Sequence, residues 1–192
     1  SDGVTQLLHF LAIQEGPPYQ HGAIQIKRSG LPGSEFAEIS NTREAILQSE
    51  ALLPEASRRL MVLGTSQTWG EGAGTRADQL VFRIHDLLSQ RLQDDVELIA
   101  FNAAFRGGDC AELVERYKDR LYLLQPDVVA VNLSNNDSYK DPEQFAASLT
   151  ALIAFNERRG VRTAFVLEAN SRETDSKRLA VLDEFHQIMR RV

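Results

Sequence analysis

From Leu60 onward the chain alternates short apolar runs with amphipathic stretches, and that alternation restricts the folds open to it. The runs cover residues 60–63, 96–101, 127–133 and 161–167, each of strand length and mostly apolar. Such runs are expected where both faces of a parallel sheet are covered. Apolar residues three to four apart predict helices over 77–92, 111–124 and 142–159, with a fourth over 175–191. The first carries the stripe Leu80, Ile84, Leu87, Leu88 and Leu92. Strands and helices in this order predict an α/β fold, a doubly wound parallel sheet flanked by helices.

Residues 1–57 are less regular. Residues 7–13 suit a short strand or helix, which Gly16, Pro17 and Pro18 break. Residues 23–26 alternate weakly, like an edge strand, and 30–34 form a turn or loop. A helix is predicted over 42–53, capped by Asn41 or Thr42 and stopped before Pro54. The segment 1–57 reads as an N-terminal extension packed on a main domain of residues 58–192.

Composition narrows the partners. A net charge of −6 without a run of Lys and Arg disfavours nucleic acid, whose phosphates need concentrated positive charge. The single cysteine, Cys110, excludes an internal disulfide and leaves the compartment undecided. No apolar run approaches the ~20 residues of a membrane span.

The chemistry lies where the first three predicted strands end. Leu60 to Gly74 reads LMVLGTSQTWGEGAG, a strand, a tight turn and a glycine-rich lead into a helix. This places Ser66 just past the carboxyl end of a strand, where open α/β sheets bind ligands. The second strand runs into Asn102 to Asp109, with Gly107 in the loop, and the third into Ser134 to Asp137, with Asn136. In a parallel sheet the three loops share one edge. There Ser66 Oγ would attack an ester carbonyl, and the N–H groups of Ser66 and Gly107 with the Asn136 amide would surround the oxyanion. Glycine at 107 suits a close approach of backbone to substrate. Read alone, a serine at position 66 better suits a helix N-cap without chemistry; joined by Gly107 and Asn136 at the strand ends, it reads as a nucleophile.

These blocks resemble the SGNH, or GDSL-type, hydrolases. Gly64, Ser66, Thr68 and Gly70 match that family's Gly-Asp-Ser-x-Thr-x-Gly block, Gly107 its second-loop glycine, and Asn136 and Asp137 its Gly-x-Asn-Asp block. The resemblance runs from about Arg59 to Leu167, and Gln125, Pro126 and Asp127 also fit it. It implies a flavodoxin-like sheet and a serine ester hydrolase or acyltransferase, with Ser66 as nucleophile and Gly107 and Asn136 as oxyanion donors. Thr65 stands where the family has an aspartate bracing the nucleophile loop, and Ser134 where it has a glycine.

The family takes its general base from a C-terminal Asp-x-x-His block. Asp183 and His186 have that spacing, but the apolar stripe of Leu179, Leu182, Phe185, Ile188, Met189 and Val192 runs through them without a loop. They read as an exposed pair on an amphipathic helix. The resemblance then implies a chain truncated at its C-terminal side, with the true block beyond Val192.

The remaining candidates have plainer readings. His85 reads as a surface or helix-packing residue, Cys110 as a structural thiol, and His9 and His21 carry no pattern. Asp109 and Asp137 lack the spacing of metal ligands, so no metal or cofactor is expected. Trp69 and Phe105 either line an acyl or sugar pocket or pack, and Arg106 either meets an anionic substrate or is solvated.

The leading function is hydrolysis of carboxylic (O-acyl) esters of carbohydrate or lipid through an acyl-enzyme, on a small-molecule or polysaccharide ester. An O-acyltransferase shares the intermediate. A non-catalytic binding module that has lost the base is a third reading, favoured by Thr65 and Ser134. A nucleotide-binding domain ranks last, because the loop has no lysine and no Gly-x4-Gly-Lys-Ser/Thr pattern.

Overall fold

The computed structural model describes residues 23–29, 36–92, 96–167 and 175–192. The features expected at 7–13, 16–18 and 30–34, with His9 and His21, lie outside the described residues. The described chain forms a six-stranded sheet with helices on both faces. Its strands are β1 (Ile24–Arg28), β2 (Phe36–Ile39), β3 (Arg58–Gly64), β4 (Leu98–Asn102), β5 (Val128–Asn132) and β6 (Arg162–Phe165). Their spatial order is β2-β1-β4-β3-β5-β6. β3 pairs in parallel with β4 and β5, and β5 with β6, whereas β1 is antiparallel to both of its neighbours.

The apolar runs serve two layers because alternate strand residues face opposite ways. Met61 and Leu63 join Ile99, Phe101, Val129 and Val131 in the larger core. Leu60 and Val62 join Leu98, Ala100 and Ala130 in the smaller one. The larger core is covered by α1 (Arg43–Glu50), α4 (Cys110–Asp119), α5 (Pro142–Glu157) and α6 (Ser176–Arg191). The smaller is covered by α3 (Leu80–Ser89), through Val81 and Phe82. A single helical turn, α2 (Ser66–Trp69), follows β3.

The parallel strands β4-β3-β5-β6 have the order of a flavodoxin-like sheet, and the helices after β3 and β5 lie on opposite faces. The topological switch point is therefore between β3 and β5, the position at which open α/β sheets bind ligands beyond the carboxyl ends of their strands.

Several details depart from the sequence reading. β1 lies inside the sheet, because β2, which the sequence did not reveal, pairs along its outer side as the edge strand. The helix expected over 77–92 is interrupted: a 3-10 turn, Arg76–Asp78, precedes Gln79 in extended conformation, and α3 starts after it. Its buried face is Val81, Phe82 and His85, while Leu87 and Leu88 are exposed. The helix expected over 111–124 likewise divides at Arg120 into α4 and a 3-10 segment, Leu121–Leu124. α1 is capped by Thr42, whose hydroxyl accepts from the Ala45 N–H at 3.2 Å.

Candidate functional site

Ser66 is the first residue of α2, and the cap position belongs to Thr65, so capping does not account for the serine. Ser66 is half-buried, and no described residue hydrogen-bonds its hydroxyl. Its carbonyl accepts from the Gly70 and Glu71 N–H groups at 3.1 and 2.9 Å. Gly70 ends the turn in the left-handed region, φ 105°, which favours glycine.

Thr65 is buried but makes no side-chain cap bond. The Ser66 turn is instead braced by two asparagines that sequence reasoning missed. Thr68 Oγ1 donates to Asn132 Oδ1 at 2.8 Å, and Asn102 Nδ2 donates to the Thr68 carbonyl at 3.1 Å and to Gln25 Oε1 at 2.9 Å. Asn132 Nδ2 in turn donates to the Val166 carbonyl. Each asparagine is the last residue of a buried apolar strand, LIAFN and VVAVN, and that placement was the available signal. A buried amide must find partners; here the partner is the Ser66 turn.

Backbone and side-chain bonds draw the three loops together. The Phe105 N–H donates to the Gly64 carbonyl at 2.8 Å, tying the second loop to the first. Asn136 Nδ2 donates to the Gly108 carbonyl at 2.9 Å, tying the third to the second beside Gly107. The Cys110 N–H donates to Asp137 Oδ1 at 2.7 Å. Gly107 has φ +77°, and a Cβ there would meet nothing within 4 Å. The left-handed backbone angle favours glycine there, and the space a side chain would fill is open.

The two described histidines, His85 and His186, are engaged elsewhere. His186 is buried rather than exposed, which corrects the expectation for the Asp183/His186 pair; Asp183 is exposed. His186 Nε2 lies 3.1 Å from Ser134 Oγ, so Ser134, in the family's glycine position, anchors α6 to the third loop. Arg178 reinforces this by donating to the Asn135 carbonyl at 2.9 Å. His85 packs under the sheet, with Nε2 3.2 Å from the Leu98 carbonyl and Nδ1 3.1 Å from Asp86 Oδ1.

Burial, aided by Arg190 and opposed by Asp183, pulls the His186 pKa below its ordinary value. As pH falls through about 6.5, the unfolded chain takes up this proton before the folded one does, so stability falls until the folded pKa is passed. Above about 6.5 the contribution is complete. His186→Gln is expected to flatten that acid limb in urea titrations across the window. An unchanged limb would assign it to other groups.

Burial also pushes the Cys110 thiol far up, with Asp137 and Asp109 adding to it, which suits a structural thiol and not a nucleophile. Asp109 is the cap of α4, in a reciprocal capping box with Glu112. No group of three or more His, Cys, Asp or Glu among the described residues has the arrangement to hold a metal ion. Phe105 packs on the larger core beneath Arg116, whose guanidinium lies 3.4 Å from its ring centroid. Trp69 and Arg106 line a cleft, and Arg106 pairs with Glu71 at 3.3 Å. No described helix is long and apolar enough to cross a membrane.

No protein-family model matches the sequence, and no curated protein matches it. Solved structures do match in fold. A lipolytic protein of the G-D-S-L family from Desulfitobacterium hafniense DCB-2 aligns at TM-score 0.55 and 16% identity, over 69% of each chain. A catalytic mutant of the acetylxylan esterase Axe2 from Geobacillus stearothermophilus aligns at 0.53 and 17%, over 69% of this chain and 70% of that one. A two-domain esterase active on acetylated mannans aligns at 0.57 and 18%, over 70% of this chain and 35% of that one. The shared architecture is the SGNH (GDSL-type) hydrolase fold.

Proposed function

We propose, from this SGNH hydrolase fold, that the chain carries the nucleophile half of a serine ester hydrolase, acting on O-acyl esters of carbohydrate or lipid. The observation that carries the reading is the bond from Asn136 to the Gly108 carbonyl, which holds the second and third loops together at the switch point beside the Ser66 turn. The division at residue 57 belongs to the same proposal, with residues 58–192 as the hydrolase-like domain and β1 and β2 as the extension's contribution to the sheet.

In this reading Ser66 Oγ adds to the ester carbonyl carbon as a base takes its proton. The tetrahedral oxyanion is held by the N–H groups of Ser66 and Gly107 and by Asn136 Nδ2, whose second hydrogen remains beyond the one given to Gly108. Collapse expels the alcohol, which takes the proton from the base, and water then cleaves the acyl-serine. An alcohol in place of that water makes the same site an O-acyltransferase. His186 is engaged with Ser134 and His85 with the Leu98 carbonyl, so neither is proposed as that base.

The test is labelling by a fluorophosphonate serine probe, read by intact mass, on this chain and on a C-terminally extended parent. Labelling of the extended form, abolished by Ser66→Ala, is the expected result. In that form Asn136→Ala is expected to lower kcat for p-nitrophenyl acetate by about 10²–10³-fold, the size of one lost oxyanion donor; an unchanged kcat would remove Asn136 from the oxyanion hole. If neither form labels, the non-catalytic binding module is the better account. The commitment of His186 to Ser134 is the observation on its side.

A further inference from the structure

We propose that the cleft between the glycine-rich loop and the N-terminal hairpin is a subsite for an uncharged saccharide portion of the ester substrate; this rests on the ester-hydrolase reading of Ser66. The cleft measures about 620 Å³, within the about 300–1,000 Å³ of small-ligand sites. It begins at Trp69 and Gly70, the far end of the single turn that Ser66 opens. Arg106, the neighbour of Gly107, forms part of its wall, and Gln25 and Glu38 of β1 and β2 also line it. One helical turn rises about 5 Å, so a substrate held at Ser66 needs to extend only that far to enter.

The chemistry of the walls selects the occupant. The charged side chains are closed into pairs, Arg106 with Glu71 at 3.3 Å and Arg76 with Glu38 at 2.7 Å. Their charges cancel, so the cleft offers an acidic sugar or a phosphate no net attraction. Amides and backbone suit hydroxyl groups, and the half-buried Trp69 offers an aromatic surface for sugar C–H groups. An acyl tail would need an apolar lining, which here is confined to Trp69 and Ala73 among side chains larger than hydrogen.

Gly74 provides a plug. A Cβ there meets only Asp78 Oδ2, at 3.9 Å, so a large side chain has room to enter the cleft. Calorimetric titration of the chain and its extended parent uses xylotriose and mannotriose, with trigalacturonate as the anionic control. Millimolar binding of a neutral trisaccharide is expected, weakened at least about tenfold by Gly74→Phe and also by Arg76→Ala, which opens one wall pair without filling space. Circular dichroism melting checks that both variants fold.

Undiminished binding to both variants, preference for trigalacturonate, or no binding of either neutral sugar at tens of millimolar would overturn the subsite. Fluorophosphonate labelling of the extended parent is read alongside. Labelling without sugar binding sinks the subsite and leaves the hydrolase; sugar binding without labelling does the reverse.

Discussion

Ser66→Ala is expected to lower turnover of p-nitrophenyl acetate by at least about 10⁴-fold in the extended chain, leaving only what the oxyanion donors and binding supply. The melting temperature should barely move. Ser66 is half-buried and no described residue bonds its hydroxyl, so its removal creates no cavity and strands no partner. This separation of activity from stability distinguishes a nucleophile from a structural serine. A variant that keeps turnover within tenfold of the parent, or that loses activity only by unfolding, would move the nucleophile away from position 66.

Gly64→Ala is expected to have the second largest effect, and here stability and activity should fall together. An added Cβ would sit 1.9 Å from Thr68 Oγ1 and 2.9 Å from the Asn132 carbonyl oxygen. Neither contact is tolerable, and the second is with backbone in a paired central strand. The clash falls on the bond from Thr68 Oγ1 to Asn132 Oδ1 that braces the Ser66 turn. Overpacking of this kind costs about 1–3 kcal/mol. A displacement of about 1 Å at the nucleophile costs about 10²-fold in rate, so fluorophosphonate labelling should slow by that order. Thermal melting with labelling kinetics checks both parts. A full-rate, full-stability Gly64→Ala would show that the brace does not position Ser66.

The legible parts of this protein were those with a period. β3 to β6 were readable because each lies in a mostly apolar run, and α5 and α6 because apolar residues recur three to four apart along long segments. The break at Gln79 was not readable. Its neighbours carry ordinary helical spacing, and the turn is decided by packing of Val81 and Phe82 against the small core. β2 was missed because four residues, FAEI, carry too little pattern; pairing with β1 defines it.

The same division runs through the site. Sequence alone determined that Ser66, Gly107 and Asn136 follow three successive parallel strands, because strand order and loop position are local properties of the chain. Only the tertiary structure decided what supports them. Asn102 and Asn132 reach the Ser66 turn across strand registers, Val62 beside Asn102 and Gly64 beside Asn132, which no local pattern encodes. His186, which has the spacing of a catalytic residue, is turned to Ser134 by the docking of α6, with Phe185 against Phe145 at 4.9 Å. Spacing along the chain specifies which residues can share a face; the partner each one meets is fixed by elements distant in sequence, whose packing buries it and leaves its polar atoms a single set of neighbours.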